Sequence, residues 1–151
     1  MEFDHAFSVA APIDAVWATI ADVERAAPCL PNTRVTGRAG PDSVNVEVTA
    51  AVGPIELTAA GVITLVERDD AARRAVLKVV ANDPDGDMLA DATVAIVLSE
   101  DGDATTGAVH SSVEVGGLAT LVGEQTIDQA AASALRTFAK NVEALLARSP
   151  S

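Results

Sequence analysis

Alternation of apolar and polar residues marks the start and the middle of this chain, and a helical period of about 3.6 marks its end. Over residues 2 to 9 the alternation places Phe3, His5, Phe7 and Val9 on one face of a first strand. Pro12 suits the first turn of a helix, where its missing N–H costs nothing. Asp14, Glu24 and the residues after them predict two short helices that end near Pro28. The Pro28 to Pro31 segment cannot continue a regular helix.

Strands follow in quick succession. Val44, Val46, Val48 and Val52 share one face, with Asn45, Glu47 and Thr49 on the other. Gly53-Pro54 interrupts the pattern, and Leu57, Ala59, Ile63 and Leu65 resume it up to the turn Glu67 to Asp70. The next strand, Arg73 to Ala81, sets Ala75, Leu77 and Val79 opposite Arg74 and Lys78. After the acidic turn Asn82 to Asp87, Met88 to Ser99 carries Ala90, Ala92, Val94, Ile96 and Leu98 on one side and Asp91 and Thr93 on the other. Glu100 to Asp103 turns the chain into a last strand, Thr105 to Val115. Consecutive strands joined by short turns predict an antiparallel meander of about six strands. Both faces are largely apolar between Ile55 and Val66, so one bulge there would exchange the two faces.

Gly116-Gly117 ends the sheet, and the remainder predicts one long helix. Gly123, Ile127, Ala130, Ala134, Phe138, Val142 and Leu145 recur at spacings of three and four, an apolar stripe that should lie lengthwise across the concave face of the sheet. The expected architecture is α+β in one domain over residues 1–148, with Ser149-Pro150-Ser151 as a loose tail.

Composition changes the picture in one respect. Apolar residues make up 49% of the 151 but aromatic residues only 3%, so Ala and Val supply most of the bulk and the interior need not be filled by protein alone. The formal net charge of −12 argues against nucleic acid and against docking on anionic lipid, while leaving a basic protein partner open. The single cysteine excludes an internal disulfide and fits a reducing compartment. With no secretory leader and no apolar run of about 20 residues to span a bilayer, the chain reads as soluble and cytoplasmic.

Phe3 and Phe7 ahead of Ala11-Pro12, Val16-Trp17, Ala27-Pro28-Cys29-Leu30-Pro31, Val52-Gly53-Pro54 and Gly61 together resemble the CoxG-like family of carbon monoxide dehydrogenase subunits. That family belongs to the START-like (SRPBCC), or polyketide-cyclase-like, helix-grip superfamily. The resemblance covers nearly all of the chain. It implies a curved antiparallel sheet of about six or seven strands wrapped around a C-terminal helix, with an apolar cavity between them. It also implies an accessory role beside a molybdenum-containing hydroxylase such as carbon monoxide dehydrogenase, with a quinone or other lipophilic molecule as ligand and no covalent cofactor. The family's glycine-rich, basic entry to the last helix is here Gly123-Glu124-Gln125.

Strand faces, helix stripe and entrance segment together nominate the cavity lining. From the entrance come Phe7, Trp17 and Leu30; from the strands Val46, Val48, Leu57, Ala59, Leu77, Val79, Met88, Ala90, Ala92 and Val94; from the helix Gly123, Ile127, Ala130, Ala134 and Phe138. At roughly 25 cal/mol per Å2, burying about 300 Å2 of ligand contributes about 7 kcal/mol before association costs, ample for reversible carriage. The same small residues would equally let helix and sheet close up without a void.

Candidate chemistry is sparse. Cys29 lies between prolines with no basic residue beside it and reads as a small buried hydrophobe. His5 shares the face of Phe3 and Phe7 and is the one candidate acid or base pointing toward the cavity, whereas the alternation puts His110 on the outer face. Two distant histidines and one cysteine provide no metal-ligand spacing. Trp17 reads as an anchor for the first helix, Asp83 to Asp87 as a solvated turn, and Glu124 and Asp128 as partners of the final helix dipole. The leading expectation is a non-catalytic binding or carrier protein for an apolar small molecule. The alternatives are a cyclase- or dehydratase-type enzyme using His5 or Asp91, and an assembly factor docking through the Val23 to Asn32 bend. Ligand identity, partner and oligomeric state are not encoded in any of these patterns.

Overall fold

A computed structural model describes residues 1–52, 54–117, 120 and 122–148, leaving aside the side chains of residues 50–52, 55, 57 and 148. Gly53 and the tail at 149–151 lie outside the described residues. The chain runs β1 (Glu2–Val9), α1 (Ile13–Ile20), α2 (Val23–Ala26), a 3-10 turn (Ala27–Cys29), β2 (Thr33–Gly40), β3 (Ser43–Val52), β4 (Ile55–Asp69), β5 (Arg74–Asn82), β6 (Met88–Asp101), β7 (Ala104–Val115) and α3 (Glu124–Arg148). All these strands join one antiparallel sheet of seven in the order β1-β7-β6-β5-β4-β3-β2. The meander therefore holds, with β1 crossing to the far edge beside the last strand.

The alternation does not announce β2. It is an edge strand with mostly exposed side chains, and its register slips between Val35 and Gly37 and again between Arg38 and Gly40. Irregular edge strands carry no clean apolar period, since only one side is paired and neither face is fully buried.

Local chemistry places the other boundaries. Asp22 caps α2, its carboxylate accepting from the Glu24 N–H at 3.1 Å. Pro28 sits in the 3-10 turn, where the helical path ends. In the acidic β5–β6 turn, Oδ1 of Asp83 accepts from the N–H groups of Asp85 and Asp87, both at 2.9 Å. Gly86 there adopts φ +90°, a conformation open to glycine at little cost. That run serves the turn itself.

The core lies between the concave face of the sheet and the helices. Phe7, Val9, Val44, Val46, Ala75, Ile96, Leu98 and Val109 from the strands meet Val16, Trp17 and Ile20 of α1 and Phe138, Ala139 and Val142 of α3. Three polar ties hold the helices against this layer. Glu143 accepts from the Ala10 N–H at 2.7 Å, Asn141 donates to the Cys29 carbonyl at 2.7 Å, and the buried Thr105 hydroxyl donates to the Ala11 carbonyl at 2.8 Å. α3 packs on β1, α1, β3 and the 3-10 turn, the helix gripped by the curved sheet. No helix among the described residues is long and apolar enough to cross a membrane.

Candidate ligand cavity

A cavity of about 220 Å3 lies between α2, the sheet and α3. Ile20, Val23, Ala26, Ala27 and Leu30 form one wall; Ile63, Leu77, Val79, Val94, Ile96, Val109 and Ser111 form the floor; Ala131, Ala134, Leu135 and Phe138 close it from above. The floor follows strict register. Ile63 pairs with Val79, Leu77 with Val94, Ile96 with Val109 and Val94 with Ser111, so directly opposed residues present one continuous apolar surface. Ser111 is the polar side chain in this lining.

Of the residues nominated from sequence, Leu30, Leu77, Val79, Val94, Ala134 and Phe138 stand in the cavity wall. Phe7, Trp17 and Val46 are instead buried in the core behind it. The Phe7 ring meets Phe138 edge-on, with centroids 6.0 Å apart. Val48 packs against the core from the side, and Ala59 joins a separate small cluster with Leu89, Ala81 and Val115. Ala90 and Ala92 keep the expected face, paired with Val115 and Val113, but lie beyond the cavity floor. The Leu57 side chain lies outside those described.

Met88 is a correction. It is 39% exposed while its neighbour Leu89 is 3% exposed. The β5–β6 register passes from Ala81 opposite Ala90 to Asn82 opposite Met88, so a bulge inserts Leu89 and turns it inward in place of Met88. Gly123 precedes the first turn of α3 and is exposed, and Ile127 and Ala130 are partly buried outside the wall. The stripe is rotated by about one residue because Ala130, Ala131, Ala132 and Ala134 are equally acceptable to an apolar period. Leu135 and Phe138 set the phase through their bulk.

The wall from α1 and α2 is missing from the sequence-based lining, although Ile20, Val23, Ala26 and Ala27 carry a three-and-four spacing that discloses it. Ile63 and Ile96 occupy the strand faces that the alternation assigns to the cavity side. Val109, Ser111, Ala131 and Leu135 join the lining only through the way the last strand and α3 pack.

The polar candidates separate cleanly. His5 is on the concave face, its ring stacked on Phe3 with centroids 6.2 Å apart and its Nε2 2.8 Å from Oδ1 of Asp128. His110 is on the outer face, between Asp4 at 2.8 Å and Glu2 at 3.2 Å; these two carboxylates raise its pKa, Asp4 most strongly. Asp91 also faces outward, 3.9 Å from the Lys78 amine, and cannot serve a reaction in the cavity. Cys29 is buried, its thiol 3.6 Å from the Arg25 carbonyl. With Glu24, Arg25, Pro28, Asn141 and Leu145 it borders a second, half-polar groove between α2 and the C-terminal half of α3.

Solved structures place this arrangement among known folds. The chain is similar to a conserved protein from Geobacillus kaustophilus, with TM-score 0.84, 16% identity, and coverage of 98% of this chain and 96% of that one. It is similar to a START superfamily protein from Mycobacterium smegmatis, with TM-score 0.64, 15% identity and coverage of 97% of each chain. An aromatase/cyclase from a Streptomyces species matches at TM-score 0.62 and 18% identity, covering 95% of this chain and 93% of its own. At such identities the likeness establishes the START-like helix-grip fold. No curated protein matches the sequence. The family model for CoxG, the G-type subunit of carbon monoxide dehydrogenase, matches residues 6–147. With that match spanning almost the whole chain, and the expected fold in place, the chain belongs to the CoxG family.

Proposed function

We propose that the chain holds a compact lipophilic molecule, such as the ring of a quinone, in this cavity and carries it for a molybdenum hydroxylase of the carbon monoxide dehydrogenase type, without catalysing a reaction itself. The observation that carries this reading is the lining, apolar throughout except for Ser111. Such a wall rewards burial of apolar surface and offers little with which to orient a bond-making step.

Size narrows the ligand. The cavity of about 220 Å3 is larger than the roughly 150 Å3 engineered void that accepts benzene. It is smaller than the roughly 300–1,000 Å3 sites that enclose drug-sized ligands. One or two fused rings fit, and a long isoprenoid chain would have to leave between α3 and the sheet. Family membership supports the partner class, and the formal net charge of −12 suits a basic patch on that partner. A reducing cytoplasm is the compartment this reading expects.

Organic extraction of gently purified protein, followed by mass spectrometry, tests the proposal. A stoichiometric lipophilic compound is expected. Protein that carries none and takes up none when offered quinones of graded size would overturn the carrier role.

A further inference from the structure

The corner of the cavity holds a polar atom that the apolar lining does not explain. β1 sets His5 opposite Val109 and Phe3 opposite Ser111, and both Val109 and Ser111 line the cavity. From the helix side, Asp128 reaches His5 one turn before Ala131, which also lines the cavity. The imidazole therefore stands where β1, β7 and α3 meet, 11% exposed, with its Nδ1 buried and without a hydrogen-bond partner among the described residues. Buried polar atoms in native proteins are nearly always satisfied, and an exception calls for a missing partner.

The chemistry of that partner follows from Asp128. A carboxylate oxygen can only accept, so its approach to 2.8 Å requires the hydrogen on Nε2. In the neutral ring, Nδ1 is then a bare acceptor. A hydroxyl can satisfy it; a ketone, a quinone carbonyl or a hydrocarbon cannot. Ser111, diagonal to His5 across the β1–β7 pair, makes no side-chain hydrogen bond among the described residues and can donate from its hydroxyl.

We propose that His5 and Ser111 form a hydroxyl-reading subsite at the corner of the cavity, selecting an apolar alcohol, phenol or quinol over the corresponding ketone or quinone. His5 Nδ1 accepts from the ligand hydroxyl, Ser111 donates to the same oxygen, and Asp128 fixes the tautomer that makes the choice. This inference rests on the carrier reading above and adds to it the oxidation level of the preferred ligand.

Three probes on one bicyclic skeleton separate the two claims when titrated calorimetrically into the full chain: tetralin, 1-tetralol and 1-tetralone. All three are expected to bind, with the alcohol about tenfold tighter than the ketone, the factor one good hydrogen bond supplies. In His5→Phe, which keeps a ring against Phe3, the alcohol-to-ketone ratio should fall to about one. Ser111→Ala, a milder change that spares the fold, should lower the ratio part of the way. Asp128→Asn, which releases the ring to carry its hydrogen on Nδ1, should narrow or invert it. Equal binding of alcohol and ketone to the wild type, or a preference that survives in His5→Phe and Ser111→Ala, overturns the subsite while leaving the carrier role intact. Failure of tetralin itself to bind removes the carrier role and the subsite together.

Discussion

Trp17 donates its indole N–H to Oδ1 of Asp70 over 2.8 Å, joining the first helix to the tip of the β4–β5 hairpin. The indole is 4% exposed, so its apolar body fills the core while its one polar atom reaches the rim. Arg68 donates to the same oxygen at 2.8 Å, and Arg73 pairs with Asp14 of α1, so the hairpin is pinned to the helix by several bonds. The Asp70 carboxyl is held below its ordinary pKa, chiefly by Arg68 and then by the Trp17 N–H. A depressed carboxylate contributes stability that is present above the unfolded value of about 3.8 and lost as pH falls through the folded one. Trp17→Phe should therefore move the Asp70 titration upward toward its ordinary value, as followed by carboxyl-carbon NMR. An unchanged titration would mean that the indole bond contributes nothing.

Gly107 is required by Phe7. A Cβ at position 107 would lie 2.4 Å from two ring carbons of Phe7, which is itself held edge-on against Phe138. Because that ring is buried and rigid, the contact cannot be relieved by a side-chain swing. Gly107→Ala should cost about 1–3 kcal/mol, in the range of other overpacked cores. Urea unfolding measures it, and a cost near zero would show that Phe7 has somewhere else to go.

Ala134 faces the cavity from α3. If the space is real, Ala134→Phe fills it from within, costing less than about 1 kcal/mol where the same change in a packed core would cost about 1–3. The same variant should weaken uptake of a lipophilic probe by about tenfold or more, read by fluorescence displacement. Severe destabilisation would instead indicate a core with no room to spare.

His110 stitches the edge strand β1 to β7 through Asp4 and Glu2. Because these carboxylates raise its pKa above 6.5, folding favours the charged ring. The associated stability is fully present below the unfolded value and is lost as pH rises through the raised one. The difference in urea midpoint between wild type and His110→Gln should thus shrink between about pH 6 and about pH 9. A difference that stays constant would remove the electrostatic role of the pair.

Much of the fold could be read from residue order because strand faces obey a local rule. Leu77, Val79, Val94 and Ile96 share the concave face simply because each lies two residues from the next on its own strand. The exceptions are where that rule is interrupted. The bulge beside Ala81 sends Met88 outward and Leu89 inward, and the slipped register of β2 hides a strand among glycines and polar residues. Neither break has a signature in the alternation, because a bulge is set by how two strands match one another.

The residues in order were enough to establish the family, the sequence of elements, the outward position of His110 and the small-residue character of the interior. Where the cavity sits was settled by packing. An alanine-rich helix has no preferred face, so the bulk of Leu135 and Phe138 against Ile96 and Val109 decided its rotation and left the space over the middle of the sheet. The meeting of His5 with Asp128, separated by most of the chain, arose the same way. Period and propensity act over a few residues, whereas a void and a long-range polar contact depend on where a rigid helix crosses a curved sheet.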